Sequence, residues 1–217
     1  MQQFKEFEEI SKKYFSKNAS IKLRKEKEKH GRPHKIAGYP VTDLLDKDAN
    51  IVDAGCGSNM FRDIFPNLIG FDIVDFGNQD YVCSIMNAPI QENSQDGVLC
   101  LGVLHECPDE YHLPNIEKMV SWLKSNGKLI MRCKEVPVVE KHLLSGRNGI
   151  MSEYLDKGLW NTEKIQAVGS QLNLTLEWKE KVIKSRAQQW RGDSPFSKER
   201  DNDIIFEGHV WCWRKNV

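Results

Sequence analysis

The sequence lacks the features that would place it in a membrane or outside the cell. No stretch approaches the roughly 18 apolar residues that a membrane-spanning helix needs. The first residues, 1–7, contain no apolar signal core, which argues against export by that route. The six cysteines form no close pairs, and without a CxxC spacing neither a disulfide framework nor a zinc site is indicated. We therefore expect a soluble, cytoplasmic protein with no metal site.

The sequence also lacks net charge, although its charges are unevenly distributed. The 31 Lys and Arg residues balance the 31 Asp and Glu residues. Residues 12–35 contain ten Lys or Arg and two Glu, a local charge of +8, so the remainder carries −8. This basic segment could contact the phosphates of RNA. It could equally be a solvated helix face, because Glu26 and Glu28 alternate with lysines.

Short apolar runs alternate with helical patterns over most of the chain. The pattern predicts strands at 51–54, 68–72, 81–83, 97–101, 128–133, 174–183 and 204–213. It predicts helices near 59–65, within 113–124 and at 162–172. Near-continuous apolar strands separated by helices indicate a largely parallel sheet covered on both faces. We expect a basic helical N-terminal extension, residues 1–40, and one α/β domain, residues 41–217.

One connection is too short for this pattern. Only eight residues, 73–80, separate the second predicted strand from the third. A parallel crossover needs about 10–12 residues. Either the third strand is degenerate or its crossover helix is reduced to a loop.

A carboxylate and two glycines follow the first strand. Asp53 ends the apolar run, and Gly55 and Gly57 allow positive φ and let a ligand lie directly on the backbone. Asp72 ends the next strand about twenty residues on, where a carboxylate can accept both ribose hydroxyls of a nucleoside. The third glycine of the dinucleotide motif GxGxxG is replaced by Met60, which disfavours a dinucleotide enzyme.

These motifs, taken in order, resemble the class I S-adenosylmethionine-dependent methyltransferases, and most of all their small-molecule-type branch. The resemblance covers about residues 41–135 and rests on VDAGCG (52–57), GFD (70–72), NAPI (87–90), DGVL (96–99), GVLHE (102–106) and LKSNGKLI (123–130). It implies an α/β, doubly wound, mostly parallel seven-stranded Rossmann-like sheet with one antiparallel strand near the C-terminus. It also implies S-adenosylmethionine as the cofactor. The Asn/Asp-Pro-Pro-aromatic motif of DNA amino-methyltransferases is replaced by HECP at 105–108, which argues against that branch.

The resemblance implies roles for individual residues around the cofactor. The implied cofactor-binding residues are Asp53, Gly55, Cys56, Gly57, Asp72, Ser84, Ile85, Leu101 and Gly102. Asp72 would bind the ribose, and Ser84 stands against adenine where the family usually has Asp. Asn59 occupies a position that is often glycine, and Asn tolerates left-handed backbone geometry.

The resemblance also places residues near the methyl acceptor. His105 and Glu106 follow the fourth strand, where the family has acceptor-facing residues. His105 could take a proton from the acceptor, or it could only hydrogen-bond the backbone and close the pocket. Arg186, Trp190 and Arg191 lie in a loop that can reach the pocket in this fold and bind an anionic or planar acceptor. That loop could also be a plain surface loop.

The predicted activity is transfer of a methyl group to an O or N nucleophile of a small molecule. Two alternatives stay open. One is an RNA methyltransferase that uses residues 12–35. The other is a catalytically silent scaffold, which Asn59, Ser84 and the short 73–80 connection would suit. The sequence leaves the identity of the acceptor and the oligomeric state open.

Overall fold

Seven strands form one sheet in a computed structural model of the chain. The model describes residues 8–9, 12, 44–57, 59, 61–104, 107, 109–134, 162–185 and 204–217. The strands are β1 (Ile51–Ala54), β2 (Leu68–Asp72), β3 (Tyr81–Val82), β4 (Gln95–Leu101), β5 (Leu123–Lys134), β6 (Leu174–Ser185) and β7 (Ile204–Lys215). The two longest helices described are α1 (His112–Trp122) and α2 (Thr162–Gln171). Of the predicted extension, only residues 8, 9 and 12 lie within the described part of the chain, and all three are helical.

The strand order is β3-β2-β1-β4-β5-β7-β6. The pairs from β3 across to β5 are parallel. Strand β7 runs antiparallel to both of its neighbours, β5 and β6. This arrangement confirms the predicted doubly wound sheet with one antiparallel strand near the C-terminus.

Alternation along the strands divides the core between the two faces of the sheet. Ile51 packs in one cluster with Phe65, whereas its neighbour Val52 packs in the other with Trp122 of α1. Phe71 and Trp122 meet edge to face with their ring centroids 5.9 Å apart. Burying a large apolar side chain stabilises the fold by about 1.5–3 kcal/mol. Coverage on both faces explains why the central strands are apolar nearly throughout.

The helix predicted near 59–65 is wrong for the residues that the structure describes there. A succession of turns takes its place: the amide of Asn59 donates to Cys56 O at 2.8 Å, and that of Ile64 donates to Phe61 O at 2.9 Å. Asn59 has a φ of 54°. A left-handed residue cannot continue the α-helical hydrogen-bond ladder, so the segment folds as turns.

The 73–80 connection contains no helix, and β3 is only two residues long. The third strand is therefore degenerate, and a loop takes the place of the crossover helix, so both of the predicted alternatives are present. Gln79 organises the loop, because its Oε1 accepts from the amides of Phe76 and Asn78, both at 3.1 Å, and its Nε2 donates to Val74 O at 3.0 Å. Asp80 then joins β2, since its amide donates to Gly70 O at 2.7 Å.

Candidate functional site

The turn after β1 is held against two other strand ends. The amides of Gly55 and Cys56 donate to Phe71 O of β2 at 2.9 and 3.0 Å. Gly55 has a φ of 80°, and a Cβ there would overlap the side chain of Val103, just after β4. Gly57 has a φ of 53°, and a Cβ added to it would meet nothing within 4 Å. The backbone at Gly57 is therefore open to a ligand.

Asp72 links the end of β2 to this turn. Its Oδ2 accepts from the amide of Gly57 at 2.9 Å, and its Oδ1 accepts from the amide of Val74 at 3.0 Å. Burial raises the pKa of Asp72, and hydrogen bonds from the backbone oppose that rise. A carboxylate has about four acceptor positions, so both oxygens can still accept hydroxyl groups from a ligand.

Asp53, in β1, is a second acidic residue, two positions before Gly55. Its side chain is only 3% exposed. Burial first, and then the charge of Asp72, raises its pKa from 3.8 to about 7. A positively charged ligand near these two residues would favour the ionised forms of both carboxyl groups.

Cys56 is near both of these acidic residues and is 4% exposed. Burial and the charges of Asp53 and Asp72 raise the pKa of its thiol. A thiol that stays protonated is a poor nucleophile. The side chain of Cys56 therefore contributes packing to the site.

Ser84 and Ile85 follow β3 at the same edge of the sheet. The amide of Cys83 donates to Asp72 O at 2.9 Å, which fixes the start of this segment beside Asp72. Ile85 is 6% exposed and opens a 3₁₀ turn, Ile85–Asn87. Ser84 Oγ accepts from Asn87 Nδ2 at 3.1 Å. The pair thus offers an apolar side chain and a polar group next to each other.

Leu101 ends β4 and Gly102 follows it, beside a buried arginine that the sequence analysis missed. Gly102 has a φ of 88°, and a Cβ there would overlap the guanidinium of Arg132 on β5. Burial lowers the pKa of Arg132 to about 10. The signal was a single arginine within the apolar run Leu129–Cys133.

Asn59 connects the turn after β1 to the loop after β2. Its Nδ2 donates to Asn78 O at 2.9 Å, and its side chain fills the space where Gly70 lacks a Cβ. The left-handed backbone that the sequence analysis allowed for Asn59 is present. This departure from the family pattern therefore has a structural use in this chain.

The structure brings together the predicted cofactor residues at the carboxyl ends of β1 to β4. The predicted acceptor-side residues His105, Glu106, Arg186, Trp190 and Arg191 lie outside the described residues. A cavity of about 350 Å³ lies elsewhere, at the amino ends of the strands, where Asn50, Asn67 and Gln95 contribute to its wall. That is the wrong edge for a ligand that contacts the glycine turn.

The described residues contain neither a metal-binding cluster nor a membrane-spanning helix. No group of three or more His, Cys, Asp or Glu side chains is placed to hold a metal ion. No helix there has the length and apolar character to cross a membrane.

The sequence matches no protein-family model and no curated protein. Solved structures with a similar fold are numerous. One is the 1,6-didemethyltoxoflavin-N1-methyltransferase of Burkholderia thailandensis, with 1,6-didemethyltoxoflavin and S-adenosylhomocysteine bound: TM-score 0.64 at 13% identity, covering 98% of this chain and 90% of that one.

Two archaeal structures are also similar in fold. The Haloferax volcanii methyltransferase solved with the Trm112 activator gives a TM-score of 0.65 at 15% identity, covering 95% of this chain and 97% of that one. A SAM-dependent methyltransferase from Archaeoglobus fulgidus gives a TM-score of 0.59 at 15% identity, covering 89% of this chain and 98% of that one. The chain therefore has the fold of the class I methyltransferases.

Proposed function

We propose that the protein binds S-adenosylmethionine across the carboxyl ends of β1, β2 and β4 and transfers its methyl group to an O or N nucleophile of a small molecule. The observation that carries this proposal is Asp72, whose two oxygens are held by the amides of Gly57 and Val74 beside an open glycine backbone. The solved neighbour from Burkholderia thailandensis acts on a small molecule, which supports the choice of acceptor class.

The residues present fit this cofactor. Asp72 has acceptor capacity left for the two ribose hydroxyls. The open space over Gly57 admits the chain that joins ribose to the methionine end. Asp53 and Asp72 supply negative charge where the cofactor has a sulfonium and an ammonium group, and Ile85 supplies an apolar surface for the base.

The bound sulfonium supplies an activated methyl group with a good leaving group. The task that remains for the protein is to align the acceptor, because correct alignment alone can provide much of the rate acceleration. We assign acceptor contacts to His105 and Glu106 and, between β6 and β7 in the sequence, to Arg186, Trp190 and Arg191. His105 would also take the acceptor's proton if the nucleophile needs deprotonation.

Calorimetry on wild type and Asp72→Ala tests the cofactor site. Losing a carboxylate that accepts hydroxyl groups should weaken S-adenosylhomocysteine binding about 10- to 100-fold. Asp63→Ala removes an exposed carboxylate away from the turn and should bind like wild type. Circular dichroism checks that each variant is folded. Unchanged affinity in Asp72→Ala would remove Asp72 from the ribose role, and no wild-type binding at millimolar ligand would end the proposal.

RNA is a second candidate acceptor, favoured by the local charge of +8 in residues 12–35. Binding through phosphate contacts weakens steeply as salt rises. Glutamine substitutions at Lys22, Arg24 and Lys25 should then reduce both RNA affinity and its salt dependence. RNA binding that is absent, or that does not respond to salt, would count against this candidate.

A further inference from the structure

Glu8 is a buried carboxylate that the proposed function has not used. It lies on a helical segment near the N-terminus and is only 9% exposed, whereas its neighbour Glu9 is exposed. Its Oε1 accepts from Asn87 Nδ2 at 3.4 Å, a contact across 79 residues of sequence. This contact places Glu8 against the turn Ile85–Asn87, which follows β3.

The contact lies where the base of a bound nucleoside would fall. The amide of Cys83 donates to the backbone oxygen of Asp72, so the turn Ile85–Asn87 comes directly after the ribose position. A nucleoside whose ribose rests on Asp72 and which continues across the strand ends reaches β3 next. There the buried Ile85 provides an apolar surface, and Ser84, Asn87 and Glu8 form a polar edge.

Two observations place the charge of Glu8 at this edge. Asn87 Nδ2 donates both to Glu8 Oε1 and to Ser84 Oγ, which joins the three side chains in one hydrogen-bonded group. Burial and, after it, the charge of Glu8 raise the pKa of the Cys83 thiol, whereas Lys12 lowers it. Glu8 and Lys12 are therefore both neighbours of the residue that precedes Ser84.

The hydrogen-bonding groups of adenine indicate which of these side chains suits it best. Its exocyclic amine is a donor and needs an acceptor at the edge of the base. Ser84 Oγ and Glu8 Oε1 each accept one hydrogen bond from Asn87 Nδ2, but the serine oxygen is neutral. A carboxylate accepts more strongly than a hydroxyl and has positions left after one hydrogen bond.

We propose that Glu8 accepts a hydrogen bond from the exocyclic amine of the cofactor's adenine and thereby selects adenine over a deaminated base. The assignment rests on the proposed cofactor. Glu8 would then supply the negatively charged acceptor for adenine that the neutral Ser84 does not provide. In a deaminated base a carbonyl oxygen replaces the amine and would face the Glu8 carboxylate, so binding is penalised.

The test compares S-adenosylhomocysteine with its deaminated analogue, S-inosylhomocysteine, by calorimetry on the full chain. Wild type should bind the adenine form about 10- to 100-fold more tightly, the range expected for a hydrogen bond to a charged group. In Glu8→Gln that ratio should fall towards one, because a glutamine amide can turn and donate to a carbonyl. Glu8→Asp keeps the charge on a shorter side chain and should retain part of the preference.

Glu9→Gln is the matched control, since it removes the adjacent but exposed carboxylate. It should keep the wild-type ratio. Equal ratios in wild type, Glu8→Gln and Glu9→Gln would overturn the role of Glu8, and so would a wild type that binds both forms equally. A wild type that binds neither form would instead refute the proposed function, so the two failures are distinguishable.

Discussion

Asp53 is an ionisable side chain in a position that is almost inaccessible to water. Burial and the nearby charge of Asp72 raise its pKa to about 7, so at neutral pH it is only partly ionised. A cation bound beside it would favour the charged form and lower that pKa. The ligand that suits this pair of residues carries positive charge near the end of β1.

This coupling predicts that S-adenosylmethionine binding releases a proton near pH 6.5–7. Below a pKa of about 7 the free protein holds the Asp53 proton and the complex loses it, so affinity should rise with pH up to about 7 and level off above. Calorimetry in buffers of different ionisation enthalpy measures the proton count directly. Asp53→Asn cannot release a proton, so its binding enthalpy should lose that part of the dependence on buffer. Equal proton release by the variant would contradict the account.

At the scale of elements, the 73–80 loop takes the place of a crossover helix and supports the site. Gln79 holds Val74 O, and the amide of Val74 holds Asp72 Oδ1. On the other side, Asn59 attaches the loop to the turn after β1. The loop therefore holds the Asp72 carboxylate in place through Val74.

Gln79→Ala should destabilise this loop and, to a lesser degree, cofactor binding. It removes four hydrogen bonds, including one from Nε2 to Asp75 Oδ1 at 3.4 Å, which together contribute about 1–3 kcal/mol to the free energy of unfolding. Urea denaturation measures that loss, and hydrogen exchange should quicken at the amides of Phe76 and Asn78. The matched control, Gln91→Ala, changes an exposed glutamine. Exchange at 76 and 78 that stays at the wild-type rate would contradict the role of Gln79.

The strands were predictable and the contacts between distant segments were not. Apolar runs such as Ile51–Ala54 mark strands covered on both faces, and the carboxyl ends of parallel strands share one edge. The turns at 59–65 were missed because helical spacing of apolar residues does not reveal a left-handed Asn59. Arg132 under Gly102, and Glu8 beside Asn87, depend on tertiary packing that no local pattern encodes.

At the scale of the whole molecule, the proposed cofactor site and the concentration of positive charge lie in different parts of the sequence. The sheet holds the proposed cofactor residues at one edge, while the positive charge is concentrated in residues 12–35. The acceptor-side residues fall between the described strands in sequence, after β4 and before β7. The proposed cofactor site thus lies among the described residues, and the choice between a small molecule and RNA is a matter for experiment.

Incubating the protein with methyl-labelled S-adenosylmethionine and a cell extract tests methyl transfer most directly. The account predicts that label enters a small-molecule fraction, with an equal amount of S-adenosylhomocysteine formed, and that Asp72→Ala at the same concentration transfers far less. Label recovered in RNA would instead support the second candidate. Tight cofactor binding with no labelled product in any fraction would contradict the proposed activity and leave a scaffold that binds the cofactor without using it.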